Sequence, residues 1–156
     1  MTDEILIRAA EIGKTYKTIV DEVMVLEKLD VEIKRGSAVA IIGESGRGKT
    51  TLLNILSGLD NPSCGSVVFD GRRIDTMDET ELAVFRNKHV GFIFQHHYLL
   101  RDFHALDNIL LPLRIAGGKI DNAKVKKVWE MLDYIGLRNR AYHFPDQLSG
   151  GERQRI

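Results

Sequence analysis

The sequence predicts an α/β fold, and three observations carry that expectation. Stretches with strand periodicity alternate with stretches of helical periodicity along the chain. One stretch, Ala38-Val39-Ala40-Ile41-Ile42, is apolar throughout and rich in branched residues, as a strand covered on both faces is. It runs straight into Gly43 and then into a helical pattern.

The elements follow in order. Ile5 to Tyr16 mixes β-formers around a Gly13-Lys14 turn and reaches an acidic break at Asp21-Glu22. Leu29-Asp30-Val31-Glu32-Ile33-Lys34 alternates apolar and polar residues, the period of a half-exposed strand, and Arg35-Gly36 turns the chain. Leu52, Leu53, Ile55 and Leu56 mark a helix running up to Gly58 as its C-cap. Cys64 reads as a small turn residue between Pro62 and Gly65. Val67-Val68-Phe69 reads as a strand leading into a tight Asp70-Gly71 turn. Asp78 to Lys88 reads as a helix with acids in its first turn, where the helix dipole favours them. Val90-Gly91-Phe92-Ile93-Phe94 is a second apolar strand, ending at Gln95.

Two further helices are predicted, Ala105 to Ile115 and Asp121 to Ile135, separated by Gly117-Gly118. Pro112 predicts a kink or break in the first. Val125, Val128, Trp129, Leu132 and Ile135 form an apolar stripe on the second, and Lys124, Lys126 and Lys127 form its solvated face. The stretch Leu148 to Ile156 looks like a helix just starting.

Composition narrows the function classes. The chain has 156 residues, 44% of them hydrophobic, which suits one ordinary domain. Basic and acidic residues both number 22, so net charge gives no reason to expect nucleic acid as a partner. A single cysteine, Cys64, allows neither an internal disulfide nor a thiolate metal cluster, which fits a reducing compartment. The acidic start Met1-Thr2-Asp3-Glu4 is unlike a secretory signal, and the longest apolar stretches are far too short to span a bilayer. The expectation is a cytoplasmic chain that reaches a membrane only through a partner.

Gly43-Glu44-Ser45-Gly46-Arg47-Gly48-Lys49-Thr50 matches the phosphate-binding loop G-x-x-x-x-G-K-[ST]. Glycines let the backbone curl so that successive N–H groups face one anion, and the helix that follows adds free N–H groups and a positive dipole end. Lys49 reaches the β- and γ-phosphates in this pattern, and the Thr50 hydroxyl helps to hold Mg²⁺. The pattern implies ATP or a related nucleotide as ligand. It does not separate transporters from kinases, GTPases or helicases.

Leu148-Ser149-Gly150-Gly151-Glu152 is a second motif, and by itself it is also a helix N-terminus capped by Ser149 with Glu152 three residues on. Together with the phosphate loop it resembles the signature of the ABC ATPase family, and the likeness covers nearly the whole chain. The resemblance implies a P-loop NTPase core with an N-terminal antiparallel β part and a helical subdomain. It divides the chain into an ATP-binding core (about residues 1–95), a helical subdomain (about 96–147) and the signature (148–156). It implies that Tyr16 stacks on adenine, that Thr51 contacts the α-phosphate, and that Gln95 contacts Mg²⁺ and senses a membrane partner. It also implies that Ser149, Gly150, Gly151 and Glu152 close over nucleotide bound to the other protomer of a head-to-tail dimer.

Leu53-Asn54-Ile55-Leu56-Ser57-Gly58-Leu59-Asp60, Gly91-Phe92-Ile93-Phe94-Gln95, Leu99-Leu100, Ala105-Leu106-Asp107-Asn108-Ile109 and Leu111-Pro112-Leu113 resemble the branch containing LolD and MacB. These serve lipoprotein-releasing and macrolide-export transporters, and the cell-division ATPase FtsE is a near relative. The resemblance implies membrane permease subunits as partners, at the cytoplasmic face of the inner membrane. His96-His97 suits a contact with a membrane subunit or a plain surface better than a metal site. Arg47 departs from the branch, which has a small residue there, and either adds a cation near the phosphates or points to solvent. Arg101 stands where many members carry proline.

The family's catalytic half (a strand ending in the Mg²⁺-holding Asp, the water-polarising Glu and the γ-phosphate-sensing His) lies after the signature. Nothing follows Ile156, so no catalytic residue is assigned, and the chain alone is expected to hydrolyse ATP poorly and to leave apolar sheet edges exposed. The leading reading is an energy-coupling subunit. The alternative is a short, inactive nucleotide-binding module that pairs with full-length relatives. A DNA-maintenance ATPase would need a long coiled-coil insertion between Gly43 and Leu148, where this chain has a compact segment.

Overall fold

The computed structural model describes residues 4–117 and 120–156, in two compact units, 1–86 and 87–156. Met1, Thr2 and Asp3 of the acidic start and Gly118 of the predicted helix break lie outside the described residues.

The first unit is built on a hairpin of two thirteen-residue strands, β1 (Ile5–Lys17) and β2 (Glu22–Lys34). Its turn closes through Thr18, whose N–H donates to the Asp21 carbonyl at 2.8 Å and whose hydroxyl accepts from the Asp21 N–H at 2.9 Å. β1 is continuous where the sequence suggested a Gly13-Lys14 turn. Gly13 sits inside the strand opposite Cys64, and a Cβ there would lie 2.6 Å from the Cys64 sulfur. The glycine marks a close approach rather than a reversal. Cys64 correspondingly opens β3 (Cys64–Phe69) instead of sitting in a turn. β3 pairs antiparallel with β1, and β4 (Arg72–Arg73) returns through Asp70-Gly71, both at positive φ, as a two-residue hairpin turn requires. The sheet order is β2-β1-β3-β4.

Helix α1 (Lys49–Leu56) buries Leu52, Ile55 and Leu56, a stripe at i, i+3 and i+4, where it packs on β1 and β2, whose own buried residues include Ala9, Ile12 and Leu26. The structure caps it at Ser57, with Gly58 one residue beyond at φ 70°. Helix α2 (Glu79–His89) begins with reciprocal bonds between Asp78 and Glu81 and buries Leu82 and Phe85, the latter edge-on to Phe69 at 5.0 Å.

Two predicted strands are corrected. Residues 38–42 and 90–94 have no ladder partner among the described residues and take no regular structure. Val39 is 57% exposed, Ile42 91% and Ile93 103%. An apolar run becomes a buried strand only when neighbouring strands satisfy its backbone groups and layers cover its faces, and here neither happens.

In the second unit, α3 (Ala105–Ile115) and α4 (Asn122–Tyr134) pack Leu110, Val128 and Leu132 with Leu137 and Ala141 into one cluster. α3 runs unbroken through Pro112 to Ile115, and the Pro112 carbonyl still accepts the Ala116 N–H at 3.1 Å. The proline costs its own ladder bond, while Leu110 before it and Leu113 after it stay packed on the cluster. Asp121 caps α4 by accepting the Lys124 N–H at 2.8 Å. Short 3₁₀ turns at Arg138–Arg140 and Pro145–Gln147 lead to α5 (Gly150–Arg155). No helix among the described residues is long and apolar enough to cross a membrane.

Candidate nucleotide-binding site

The loop from Gly43 to Gly48 is held open by backbone conformations that favour glycine. Gly46 has φ 79° and Gly48 φ 76°, and Gly48 serves as the left-handed N-cap of α1. Gly48 is also pressed against β2. An added Cβ would lie 2.9 Å from Val25 Cγ1 and Leu26 Cδ2 and 3.0 Å from the Val25 carbonyl oxygen. Strand β2 therefore fixes where the loop enters the helix. Lys49 folds back over the loop, its Nζ donating to the carbonyl oxygens of Gly43 at 2.9 Å and Glu44 at 2.6 Å. Glu44, Ser45, Arg47 and Thr50 are exposed, and Thr51 is half-buried in the first turn of α1. Arg47 pairs with Glu44 within the loop, Nη2 to Oε2 at 3.1 Å, with both side chains largely in solvent.

Tyr16 lies on β1 opposite Val23 of β2, two residues from the Val25-Leu26 stretch that Gly48 abuts. The residue is 40% exposed. Its hydroxyl donates to Asp60 Oδ2 at 2.8 Å, and the Lys14 ammonium stands 4.9 Å above the ring centroid. Lys14 donates to Asp60 Oδ1 at 2.6 Å and to the Asn61 carbonyl at 2.7 Å. Burial pushes the Asp60 carboxyl up. The bonds from Lys14 and Tyr16, the Lys14 charge and the Asn61 N–H outweigh that and hold it below the usual carboxylate range. By sequence alone Lys14 falls in a turn and Asp60 in the branch likeness, and neither has a part in the nucleotide site. The only local hint is that Lys14 and Tyr16, two apart, share a face of β1.

Gln95 and Ser149, Gly150, Gly151 and Glu152 all belong to the second unit. Gln95 is exposed, in a bend rather than at a strand end. Ser149 caps α5 reciprocally. Its hydroxyl accepts the Glu152 N–H at 3.3 Å, and Glu152 Oε2 accepts the Ser149 N–H at 2.7 Å. Arg140 Nε adds a bond to Glu152 Oε1 at 3.1 Å. The Ser149 N–H and hydroxyl, with the Arg140 guanidinium, draw the Glu152 carboxyl down to about 2. Arg153 is anchored by its Nη1 on the carbonyls of Pro145 at 3.0 Å and Leu148 at 2.6 Å.

The ABC transporter family profile matches residues 26–156. The chain belongs to this family. It is 49% identical over 132 residues to the lipoprotein-releasing system ATP-binding protein LolD of Bacteroides fragilis, covering 85% of this chain and 61% of that protein. With the LolD of Bdellovibrio bacteriovorus it shares 44% identity over 149 residues, 96% of this chain and 67% of the relative. A solved dimeric structure of the bacterial ABC transporter cassette MJ0796 superposes with a TM-score of 0.87 at 37% identity. That match covers 96% of this chain and 66% of the cassette. A second, post-hydrolysis dimer of the cassette bound to ADP and Pi gives the same TM-score at 36% identity, over the same shares of both chains. The chain thus spans about 61% of the length of the Bacteroides relative. The fold of the whole is that of an ABC ATPase, α/β in class, with its antiparallel β part and helical part both present.

Proposed function

We propose that this chain binds ATP with Mg²⁺ and serves as the ATP-binding subunit of a lipoprotein-releasing type of transporter. The observation that carries the reading is the loop itself. Gly48 heads α1 so close to β2 that any Cβ would strike Val25 and Leu26, and the Lys49 ammonium already sits among the loop's carbonyls. An anion entering the loop would meet the free N–H groups at the start of α1 and draw Lys49 from those carbonyls onto its own oxygens. Gly43, Glu44, Ser45, Gly46, Arg47, Gly48, Lys49, Thr50 and Thr51 form this phosphate cradle in our reading, with Tyr16 as the base platform.

Mg²⁺ would supply charge neutralisation at the phosphates, with the Thr50 hydroxyl of the first unit as a proposed contact; Gln95, in the second unit, is proposed as a metal contact on the family likeness alone. Among the described residues no cluster of three His, Cys, Asp or Glu side chains could hold a metal ion. Ser149, Gly150, Gly151 and Glu152 are assigned to the nucleotide of a second subunit in a head-to-tail pair, a reading supported by the dimeric state of the MJ0796 cassette. Membrane permease subunits are the proposed partners at the inner membrane, supported by the likeness to LolD. The division into ATP-binding core, helical subdomain and signature stands as part of the same proposal.

Titration calorimetry with Mg²⁺-ATP tests the site. The wild-type chain is expected to bind, and Lys49→Ala to lose at least tenfold in affinity, as expected when a charged hydrogen-bond donor to phosphate is removed. Equal affinity in the two proteins would overturn the site. Co-purification of permease subunits with the tagged chain from its native membranes tests the partner, and a chain recovered without them argues against it.

A further inference from the structure

We infer that Asp60, with Lys14, is a positioning pair for nucleotide recognition. Together they hold the Tyr16 ring as a one-faced platform for the base and tie it to the phosphate loop through α1. This rests on the nucleotide-site reading above and adds to it the residues that set the ring.

Four observations carry it. The Asp60 carboxylate is shared, with Oδ2 taking the Tyr16 hydroxyl at 2.8 Å and Oδ1 taking the Lys14 ammonium at 2.6 Å. The ammonium lies over one face of the ring, so a stacking partner has only the other face. The Lys14 side chain is only 12% exposed and that of Asp60 27%, so the pair is built into the fold rather than laid on its surface. Asp60 follows directly from the helix that the phosphate loop starts. Its N–H and that of Leu59 both donate to the Asn54 carbonyl of α1, at 3.2 and 2.8 Å. Ser63, three residues on, donates its N–H to the Gly13 carbonyl at 2.8 Å and accepts the Thr15 N–H on its hydroxyl at 3.0 Å.

The physical consequence is preorganisation. A tyrosine on a strand next to a hairpin turn has rotamers to lose on binding a base, and the Asp60 bond removes that freedom beforehand. The cation behind the ring fixes which face is offered. The separation of base platform and phosphate cradle is then set by α1 and the 57–60 turn, so a nucleoside triphosphate is bound as one rigid measure. A bare polyphosphate uses only one end of it.

The test is calorimetry of the whole chain with Mg²⁺-ATP and, separately, with Mg²⁺-tripolyphosphate, which has the phosphates and no base. Asp60→Asn is expected to weaken ATP binding by roughly tenfold and to leave tripolyphosphate within about twofold of wild type. Tyr16→Phe keeps the ring and removes only its tether, and a several-fold loss toward ATP alone is expected. Unchanged ATP affinity in both variants overturns the inference. So does an equal loss toward ATP and tripolyphosphate, which would make Asp60 a support of the loop rather than of the ring. Should Asp60→Asn fold poorly, Tyr16→Phe carries the same decision. A wild-type chain that binds neither compound overturns the nucleotide site itself, and that result is seen before any substitution is made.

Discussion

Substitution of Gly48 by alanine probes how strand β2 fixes the phosphate loop. At φ 76° an alanine pays a left-handed penalty of about 1–2 kcal/mol. Its Cβ would also stand 2.9 Å from two side-chain carbons and 3.0 Å from the Val25 carbonyl oxygen. The Val25 and Leu26 side chains can shift by tenths of an ångström. Val25 sits at an irregularity of the β1–β2 ladder, between the Lys14–Leu26 and Thr15–Met24 pairs, and its carbonyl yields only by reshaping the hairpin there. Overpacking of that kind costs about 1–3 kcal/mol. The sum, about 2–4 kcal/mol after partial relaxation, corresponds to a fall in thermal midpoint of about 5–15 °C for a chain of this size. The loop can escape only by sliding away from β2, which displaces the first turn of α1 and Lys49 with it. Loss of ATP affinity should therefore accompany the loss of stability. The assay is a thermal melt paired with ATP calorimetry. A Gly48→Ala chain that melts within 2 °C of wild type and binds ATP equally would show that the loop is not seated on β2.

Other outcomes follow from the same geometry. The Glu152 carboxyl titrates near 2, below its ordinary value of 4.5, so its capping of α5 is fully present above that ordinary value and is lost as pH falls through about 2. Carbon-detected NMR titration should place its midpoint near 2, and an ordinary midpoint would remove the Ser149–Arg140 clasp. Ser149→Ala leaves one capping partner gone and should cost about 1 kcal/mol of local stability, read as faster amide exchange at Glu152 and Arg153. Leu132→Ala empties the centre of the second unit's cluster, where Leu132 is fully buried, and should cost about 2–5 kcal/mol by denaturant titration.

How much of this was legible in the sequence depended on the range of the interactions. Helix starts are local chemistry: the sequence opened helices at Asp78 and Asp121 and named Ser149 a cap, and each side chain accepts a backbone N–H three residues on. Asp70-Gly71 announced its turn in the same way. Strands depend on partners far along the chain. Glu22 to Lys28 carries no clean alternation, yet it extends β2 because β1 lies beside it. The segments 38–42 and 90–94 carry the apolar pattern of strands and form none, because no neighbour pairs with them among the described residues. Intrinsic β-preference only describes fitness for a half-buried surface, and the surface must exist first.

The site divides along the same line. The phosphate loop is contiguous, so residue types at fixed spacing specified Gly48 at a helix start and Lys49 beside it before any coordinates. The aromatic platform is not contiguous. Tyr16 and Asp60 are separated by 44 residues, and only the folding of α1 against β1 brings the carboxylate to the phenol. The resemblance to the family could name Tyr16 as the ring proposed to face the base. Sequence pattern cannot name the group that aims the ring, since a hydrogen bond of 2.8 Å leaves no periodic trace. The proposed recognition of a nucleotide therefore has a part written in one motif and a part written across the sheet. Asp60→Asn separates the two, because it alters the second while every residue of the first stays in place.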